Sequence, residues 1–243
     1  FIVNGTLNTR NGGVITCGSL GGTGSVAGAG NADGNTTLTV GAAGLDSVFF
    51  GNILEATNTR ALSLTKVGAG NLTLAGNNTY SLTTTITGGT LQIGDGGPTG
   101  SLPTNNIVNN AALAFNRANN FSDSGVISGT GLVIQDGDGV VTFTRSHTYS
   151  GATLINAGTL TLTGSGSISN STGITVASGA TLNVSGRTSG SMALTSGKTL
   201  SGSGAVDGDF IVSSGAKLAP GNSLGTLTFS NNLTLAAGST TTL

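Results

Sequence analysis

Few side chains in this sequence could do chemistry. His147 is the only histidine and Cys17 the only cysteine among 243 residues. A catalytic base needs an oriented partner and a nucleophile within reach, and the sequence nominates no such set around either residue. We therefore predict that His147 is a corner or wall residue and that Cys17 is a small buried one. The sequence predicts neither an enzyme nor a cofactor-binding protein.

Four aspartates form two close pairs. Asp136 and Asp138, like Asp207 and Asp209, occur as Asp-Gly-Asp. Glycosidases use two carboxylates at a defined separation, and Ca²⁺ takes carboxylate and carbonyl oxygens as ligands. Because Asp136 and Asp138 align with positions inside the Val-Gly-Ala-Gly stretch at residues 67–70, which is typical of a turn, these two aspartates are predicted to lie on a turn and face water. A calcium site at these four residues is the alternative, and a glycosidase site is disfavoured.

Composition limits the kind of partner. Only 7% of the residues are charged and the net charge is −1, which leaves too few basic side chains for a phosphate-binding face. Nucleic acid is therefore not expected. No run of about 18 apolar residues could form a membrane-spanning helix. Hydrophobic residues make up 36% of the chain and alternate with polar ones, which indicates half-buried strands rather than disorder.

A long internal repeat must position these residues. Residues 66–94 and 135–163 align without a gap, and 11 of the 29 positions are identical. Thr79-Tyr80-Ser81 aligns with Thr148-Tyr149-Ser150, and His147 aligns with Asn78. Asp136 and Asp138 align with Val67 and Ala69. Self-similarity of this length indicates a repeat protein.

A shorter period lies within the long one. A Gly that precedes a Leu by two or three positions recurs at Gly158, Gly179, Gly197 and Gly215. Coils of about 18–23 residues are the size expected for one rung of a parallel β-solenoid. We predict an all-β fold, a right-handed parallel β-helix, with apolar residues pointing inward, Thr and Ser outward, and Gly, Asn and Asp at the corners.

The predicted solenoid is a single domain of residues 1–243. Residues 1–60 are less regular than residues 61–243. Loops are expected at residues 31–37, 46–50 and 116–124, where polar residues cluster. Because Phe1 already lies in a strand-like pattern, we expect a processed form or a fragment of a longer protein.

The repeat units resemble the autotransporter-associated β-strand repeat, also called the passenger-associated transport repeat. The resemblance rests on residues 66–94, on the partner ending HTYSGATLINAGTLTLTG, and on KLAPGNSLGTLTF at residues 217–229. It covers the chain from about residue 63 to its last residue. It implies a right-handed β-helix located outside the cell or on the bacterial surface. Related repeats also occur in very large architectural surface proteins, so the resemblance implies location better than activity.

Three functions follow as hypotheses. The first is a structural β-solenoid that forms a stalk, extracellular fibre or matrix component, with open ends that stack head to tail between subunits or within a longer chain. The second is an adhesin that binds glycans or host surfaces through loops at residues 31–37 and 116–124. The third is binding of ice or another crystal by ordered rows of threonine such as Thr83–Thr85, which uneven rung lengths would disfavour.

Overall fold

The structure is a computed structural model that describes residues 1–9, 13–28, 34–55, 61–123, 125–221 and 225–242. These residues form 28 strands and no helix. They fall into two compact units, Phe1–Arg117 and Ala118–Leu243. The all-β prediction is confirmed, whereas a single domain over the whole chain stays a prediction.

Short strands separated by turns make up each unit. Unit 1 contains β1 (Thr6–Thr9), β2 (Gly13–Cys17), β3 (Ser25–Gly28), β4 (Thr36–Val40), β5 (Ser47–Phe49), β6 (Asn52–Leu54), β7 (Leu62–Lys66), β8 (Asn71–Leu74), β9 (Thr84–Ile86), β10 (Thr90–Ile93), β11 (Ile107–Asn109) and β12 (Ala112–Phe115). Unit 2 contains β13 (Phe121–Asp123), β14 (Ile127–Ser128), β15 (Leu132–Gln135), β16 (Val140–Phe143), β17 (Thr153–Ile155), β18 (Thr159–Leu162), β19 (Gly173–Val176), β20 (Thr181–Asn183), β21 (Ser191–Leu194), β22 (Thr199–Gly202), β23 (Ala205–Asp207), β24 (Asp209–Val212), β25 (Lys217–Pro220), β26 (Thr228–Phe229), β27 (Leu233–Leu235) and β28 (Thr240–Thr241).

The strands of each unit pair in parallel. In unit 1 the sheets run β1-β3-β6, β5-β8-β10-β12 and β2-β4-β7-β9-β11. In unit 2 they run β15-β17-β19-β22-β25-β28, β13-β16-β18-β20-β23-β26 and β21-β24-β27. Neighbours in a sheet come from successive turns of the chain, so each unit is wound as a β-solenoid. The parallel β-solenoid is thus confirmed, and its right-handed winding stays a prediction.

The rungs of the solenoid are longer and more variable in length than the sequence predicts. The nearest strand partners in sequence include Ser191 and Asp209, which fit the predicted rung. Ser25 pairs with Asn52, a separation that exceeds the predicted upper limit of about 23 residues per rung. That limit is therefore wrong. Between Gly173 and its partner Thr199, the mostly exposed residues 185–190 lengthen the rung without changing its pairing.

The core consists of columns of identical or similar apolar side chains. In unit 1, Leu72, Leu91 and Leu113 are in register on three adjacent strands, and all three are buried. In unit 2, Leu160 and Leu182 stack in the same way. Side chains alternate between the two faces of a strand, so the polar residues between the leucines point outward. Stacking removes apolar surface from water at every rung, at about 25 cal/mol per Å².

Two of the predicted loops are wrong. Residues 46–50 contain β5, in which Phe49 is fully buried. Residues 116–124 contain β13, which pairs with β16. The polar residues there misled the prediction because Arg117 and Asp123 are buried rather than solvated. In the remaining predicted loop, residues 31–33 lie outside the described residues, and residues 34–37 run into β4. Ser124, at the end of the loop predicted at residues 116–124, also lies outside the described residues.

Glycine is needed where a corner approaches the next rung. Gly158 and Gly164 have nearly equal left-handed φ angles, 57° and 58°. A Cβ atom on Gly158 would lie 2.4 Å from the carbonyl oxygens of Gly137 and Gly139, whereas a Cβ on Gly164 would meet nothing within 4 Å. The two positions therefore separate the cost of backbone conformation from the cost of close approach.

We expect Gly164→Ala to lower the free energy of unfolding by about 1–2 kcal/mol, the cost of a left-handed L-residue. Gly158→Ala should cost about 1–3 kcal/mol more, because the new methyl group overlaps backbone atoms. Chemical denaturation of both variants measures the difference. Equal losses would show that the rungs are not packed this closely at Gly158.

Candidate functional site

Equivalent side chains bind the corner carbonyls of the two repeats. We name residues 66–70 the first corner and residues 135–139 the second corner. Lys66 Nζ donates to the carbonyl oxygens of Val67 at 2.8 Å and of Gly68 and Gly88, each at 3.0 Å. Burial lowers the pKa of Lys66, and the nearby Asp46 opposes that shift. In the second corner, Gln135 replaces this lysine and binds two carbonyl oxygens through Nε2.

Other long cationic side chains also donate hydrogen bonds to backbone carbonyl groups. Arg117 donates to the carbonyl groups of Gly100 and Pro98. Arg187 donates to those of Gly166 and Ser191, and Lys198 donates to Ser169. Burial lowers the pKa of all three. These cations satisfy backbone acceptors at the ends of strands. Arg117 is buried, whereas Arg187 and Lys198 are half-buried.

His147 and Asn78, which the repeat alignment places at equivalent positions, make equivalent hydrogen bonds. The Nδ1 atom of His147 accepts a hydrogen bond from the Ile127 N–H at 3.0 Å, and Asn78 Oδ1 accepts one from the Ile53 N–H at 2.9 Å. Both side chains are buried. The ring of His147 packs edge-on against Phe143, with ring centroids 4.2 Å apart. The structure therefore places His147 in the wall, where it binds the neighbouring rung.

The two tyrosines are buried in the same way. The hydroxyl groups of Tyr80 and Thr84 are 2.6 Å apart, and those of Tyr149 and Thr153 are also 2.6 Å apart. Both rings are at most 1% exposed, so neither can stack on a ligand. Their shared position in the repeat reflects packing.

The structure does not gather the aspartate pairs into one site. Asp136 and Asp138 are exposed on the second corner, and Asp136 Oδ1 accepts a hydrogen bond from Asn156 Nδ2 at 2.7 Å. Asp207 and Asp209 are half-buried in β23 and β24. Among the described residues, no group of three or more His, Cys, Asp or Glu side chains could hold a metal ion.

Sequence reasoning missed one buried acid. Asp123 is 3% exposed; its Oδ1 accepts a hydrogen bond from the Gly125 N–H at 3.0 Å. Its Oδ2 has no hydrogen-bond partner, and burial raises its pKa to about 6. His147 Nε2 also lacks a partner, and burial lowers the pKa of that imidazole to about 4. No sequence pattern marks Asp123 as buried, because it lies in a stretch of polar residues that is typical of a loop.

An ordered threonine row is present in unit 1. Thr16, Thr39, Thr65 and Thr85 are in register on adjacent strands, pointing outward. The sequence separations between successive threonines are uneven. The row is nevertheless unbroken, because the additional residues of the longer rungs lie between the strands. The objection from uneven rung lengths is therefore wrong, and binding of a crystal surface stays a prediction. Separately, no described segment forms a helix that is long and apolar enough to cross a bilayer.

The two buried groups affect pH dependence in opposite directions. Between the unfolded pKa of 3.8 and about pH 6, folded Asp123 keeps a proton that the unfolded chain releases, so stability falls as the pH rises. Between about pH 4 and the unfolded pKa of 6.5, folded His147 lacks a proton that the unfolded chain binds, so stability rises with pH. From about pH 4 to 6 these two contributions oppose each other.

Replacing either residue should reveal the pH dependence of the free energy of unfolding that the other residue causes. We expect the free energy of unfolding of Asp123→Asn to rise with pH between 4 and 6. The free energy of unfolding of His147→Asn should fall over the same pH range. Each change should be at most about 1.4 kcal/mol per pH unit relative to the unmodified protein. Asparagine suits position 147 because Asn78 occupies its equivalent. Denaturation at pH 4, 5 and 6 measures the slopes, and slopes of the same sign would contradict the assignment.

Comparisons with known proteins agree with the repeat geometry. Residues 64–93 and 133–162 match the passenger-associated-transport-repeat family. Each match includes one corner together with parts or all of four strands, β7 to β10 and β15 to β18. A 112-residue stretch is 42% identical to the adhesin BmaC autotransporter of Brucella suis biovar 1 (strain 1330). No solved structure matches the chain.

The aligned stretch is 46% of this chain but only 3% of that relative. The match therefore covers less than half of this chain and a small part of that relative's length. The repeats and this relative together indicate location rather than a particular activity. The chain carries two passenger-associated-transport repeats in a parallel β-solenoid, and they mark it as an extracellular or cell-surface protein.

Proposed function

We propose that the chain is a structural, non-catalytic segment of a surface protein, a β-solenoid that forms a stalk or fibre. The observation that carries the proposal is the use of four buried or half-buried cationic side chains. Lys66, Arg117, Arg187 and Lys198 bind backbone carbonyl groups of the chain itself. The outward positions between them are mainly uncharged Thr, Ser and Asn residues, which suits a wall rather than a binding pocket.

Open strand edges support self-association. In unit 1, β1 and β2 each end a sheet, and nearby Ile2 and Val14 are 75% and 68% exposed. In unit 2, β26, β27 and β28 end their sheets, and Leu235 is 50% exposed. Unpaired edges can accept another strand. We propose that they stack head to tail on other rungs, of another copy or of a longer chain, and a non-closing contact of this type gives filaments.

A lysine on an edge strand should block this stacking. We expect Val14→Lys to weaken assembly at least about tenfold, because a charge on an edge disfavours strand pairing. Thr175→Lys is the matched control, since β19 already has β17 and β22 on its two sides. Sedimentation and electron microscopy over a range of concentrations measure assembly. Wild-type protein that stays monomeric throughout, or equal assembly of both variants, would contradict stacking between separate copies.

An adhesive role is the second candidate, because the relative is named as an adhesin. The structure changes which surface would carry it. Residues 95–99 include exposed Asp95, Pro98 and Thr99, and Arg117 holds this loop through the Pro98 carbonyl oxygen at 2.8 Å. An exposed loop fixed at its base can present polar groups to a glycan.

Substitution of that loop separates the two functions. If the loop binds glycans, Asp95→Ala with Thr99→Ala should lose binding at least about tenfold on a glycan array, with unfolding unchanged. Asp138→Ala with Thr188→Ala changes the same residue types at other exposed positions and serves as the control. Absence of any glycan signal from the wild-type protein would exclude glycan adhesion and leave the structural proposal standing.

A further inference from the structure

The outer face of one sheet in unit 1 carries two straight columns of short side chains. The sheet runs β2-β4-β7-β9-β11, and we name the outer surface of its first four strands the threonine face. Strands β2, β4 and β7 pair over five consecutive residues without a bulge. Thr83 belongs to the face because Thr84, which follows it, pairs with Leu64. One column consists of Thr16, Thr39, Thr65 and Thr85, and the other of Val14, Thr37, Ser63 and Thr83.

The side chains of the threonine face are held in place before anything binds. Thr and Val are branched at Cβ, which restricts their χ1 angles. Leu38 and Leu64 lie between the two columns on β4 and β7, and both are buried in the core below the face. On the face itself, Ser63 Oγ donates a hydrogen bond to Thr37 Oγ1 at 3.0 Å. A surface ordered in this way loses little conformational entropy when it binds a rigid partner.

The threonine face carries no charge and no large side chain. All eight of its residues are exposed or half-buried. Within the four strands the one charged residue is Lys66, and its side chain is directed inward and is 1% exposed. Charged side chains hold their own hydration water, so their absence leaves the hydroxyl and methyl groups to order the water that covers the face.

The spacing of the columns determines which surface they can match. Neighbouring strands are about 4.8 Å apart, and successive outward residues of one strand are about 6.7 Å apart. The hydroxyl groups therefore form a nearly rectangular array with these two repeats. Water oxygens on a prism face of ice form a rectangular array whose two repeats are similar. A threonine hydroxyl group can both donate and accept hydrogen bonds, as a water molecule in ice does.

We propose that the threonine face binds ice. Its hydroxyl groups take the places of water molecules at the crystal surface, and its methyl groups fill the spaces between them. Lattice binding requires only that the array is regular, rigid and uncharged, which are the three properties described above. The assignment is independent of the stalk and adhesin proposals, which concern strand edges and the loop at residues 95–99.

Area and chemistry favour ice over a protein or a polysaccharide. Four strands with two columns cover roughly 250 Å², whereas a stable protein interface buries about 800 Å² on each partner. Carbohydrate surfaces are bound mainly by aromatic rings that stack on the sugars, and the eight residues of the face include no aromatic ring. An ice surface presents a water molecule at every lattice position, so even a small face can be matched completely.

Unit 2 supplies a matched control position. Thr142 and Thr161 are in register on the outer face of its β13-β16-β18-β20-β23-β26 sheet. The same column continues as Asn183 and Asp207, where a longer amide and a carboxylate interrupt the array. This face should therefore not bind ice. Thr161 resembles Thr65 because both are half-buried and both lie on strands with a neighbour on each side.

Partitioning into ice tests the assignment. A solution of the full chain is frozen slowly on a cold surface, and the protein concentration in the ice is compared with that in the remaining liquid. We expect Thr65→Lys to lower the ratio at least about tenfold, because a hydrated charge at the centre of the face keeps it away from the lattice. Thr161→Lys should partition like the wild-type protein, and chemical denaturation checks that both variants fold. Exclusion of the wild-type protein from ice, or equal partitioning of the two variants, would overturn the proposal.

The shape of single ice crystals is a second readout, and it does not depend on the stability of a lysine variant. Ice grown just below its melting point forms rounded discs, whereas a protein bound to prism faces produces hexagonal crystals with flat sides. We expect flat sides with the wild-type protein. Val14→Thr with Ser63→Thr makes both columns all threonine and should produce flat sides at a lower concentration. Rounded discs at every concentration of the wild-type protein would also overturn the proposal.

Discussion

The corner carbonyl groups impose the constraint on which this fold depends. Along the straight sides of a solenoid, each rung satisfies the backbone groups of the next, and any sequence with the right alternation can do so. At the corners the ladder is interrupted, and the carbonyl oxygens there point inward where water is excluded. A buried acceptor must find a donor. This chain meets the requirement with long side chains that fold back on their own corners, and these take up much of its small number of cations.

This constraint explains why the two repeats share geometry more than identity. Lys66 and Gln135 differ in charge, yet both reach corner carbonyls from the same position. Asn78 and His147 differ in shape, yet each accepts a backbone N–H of the neighbouring rung. The residue types can change provided that the hydrogen bond is retained. In the second corner the replacement leaves one buried acceptor, Gln135 Oε1, without a hydrogen-bond partner.

The repeat alignment was enough to predict parallel rungs, because inward Leu and Ile positions recur with their spacing intact. It could not predict β5 or β13. Both contain polar residues that normally mark loops, and only their three-dimensional partners reveal that Asp123 is buried or that Asp46 accepts a hydrogen bond from the Asn71 N–H. The contacts of the second corner were hidden for a related reason. Asp136 and Asp138 were visible in the sequence, whereas the unsatisfied Oε1 of Gln135 depends on how the amide meets two glycine carbonyls.

The spacing of the strand pairs also bears on how such a chain can reach its folded form. Strand partners lie as near in sequence as Ser191 and Asp209, and even a wide pair such as Ser25 and Asn52 spans a single turn of the solenoid. Each new rung can therefore form as soon as one further turn of chain becomes available. Contacts of this range allow growth from an existing rung without waiting for distant parts of the chain. Each unit can therefore fold progressively, with every completed rung serving as the template for the next.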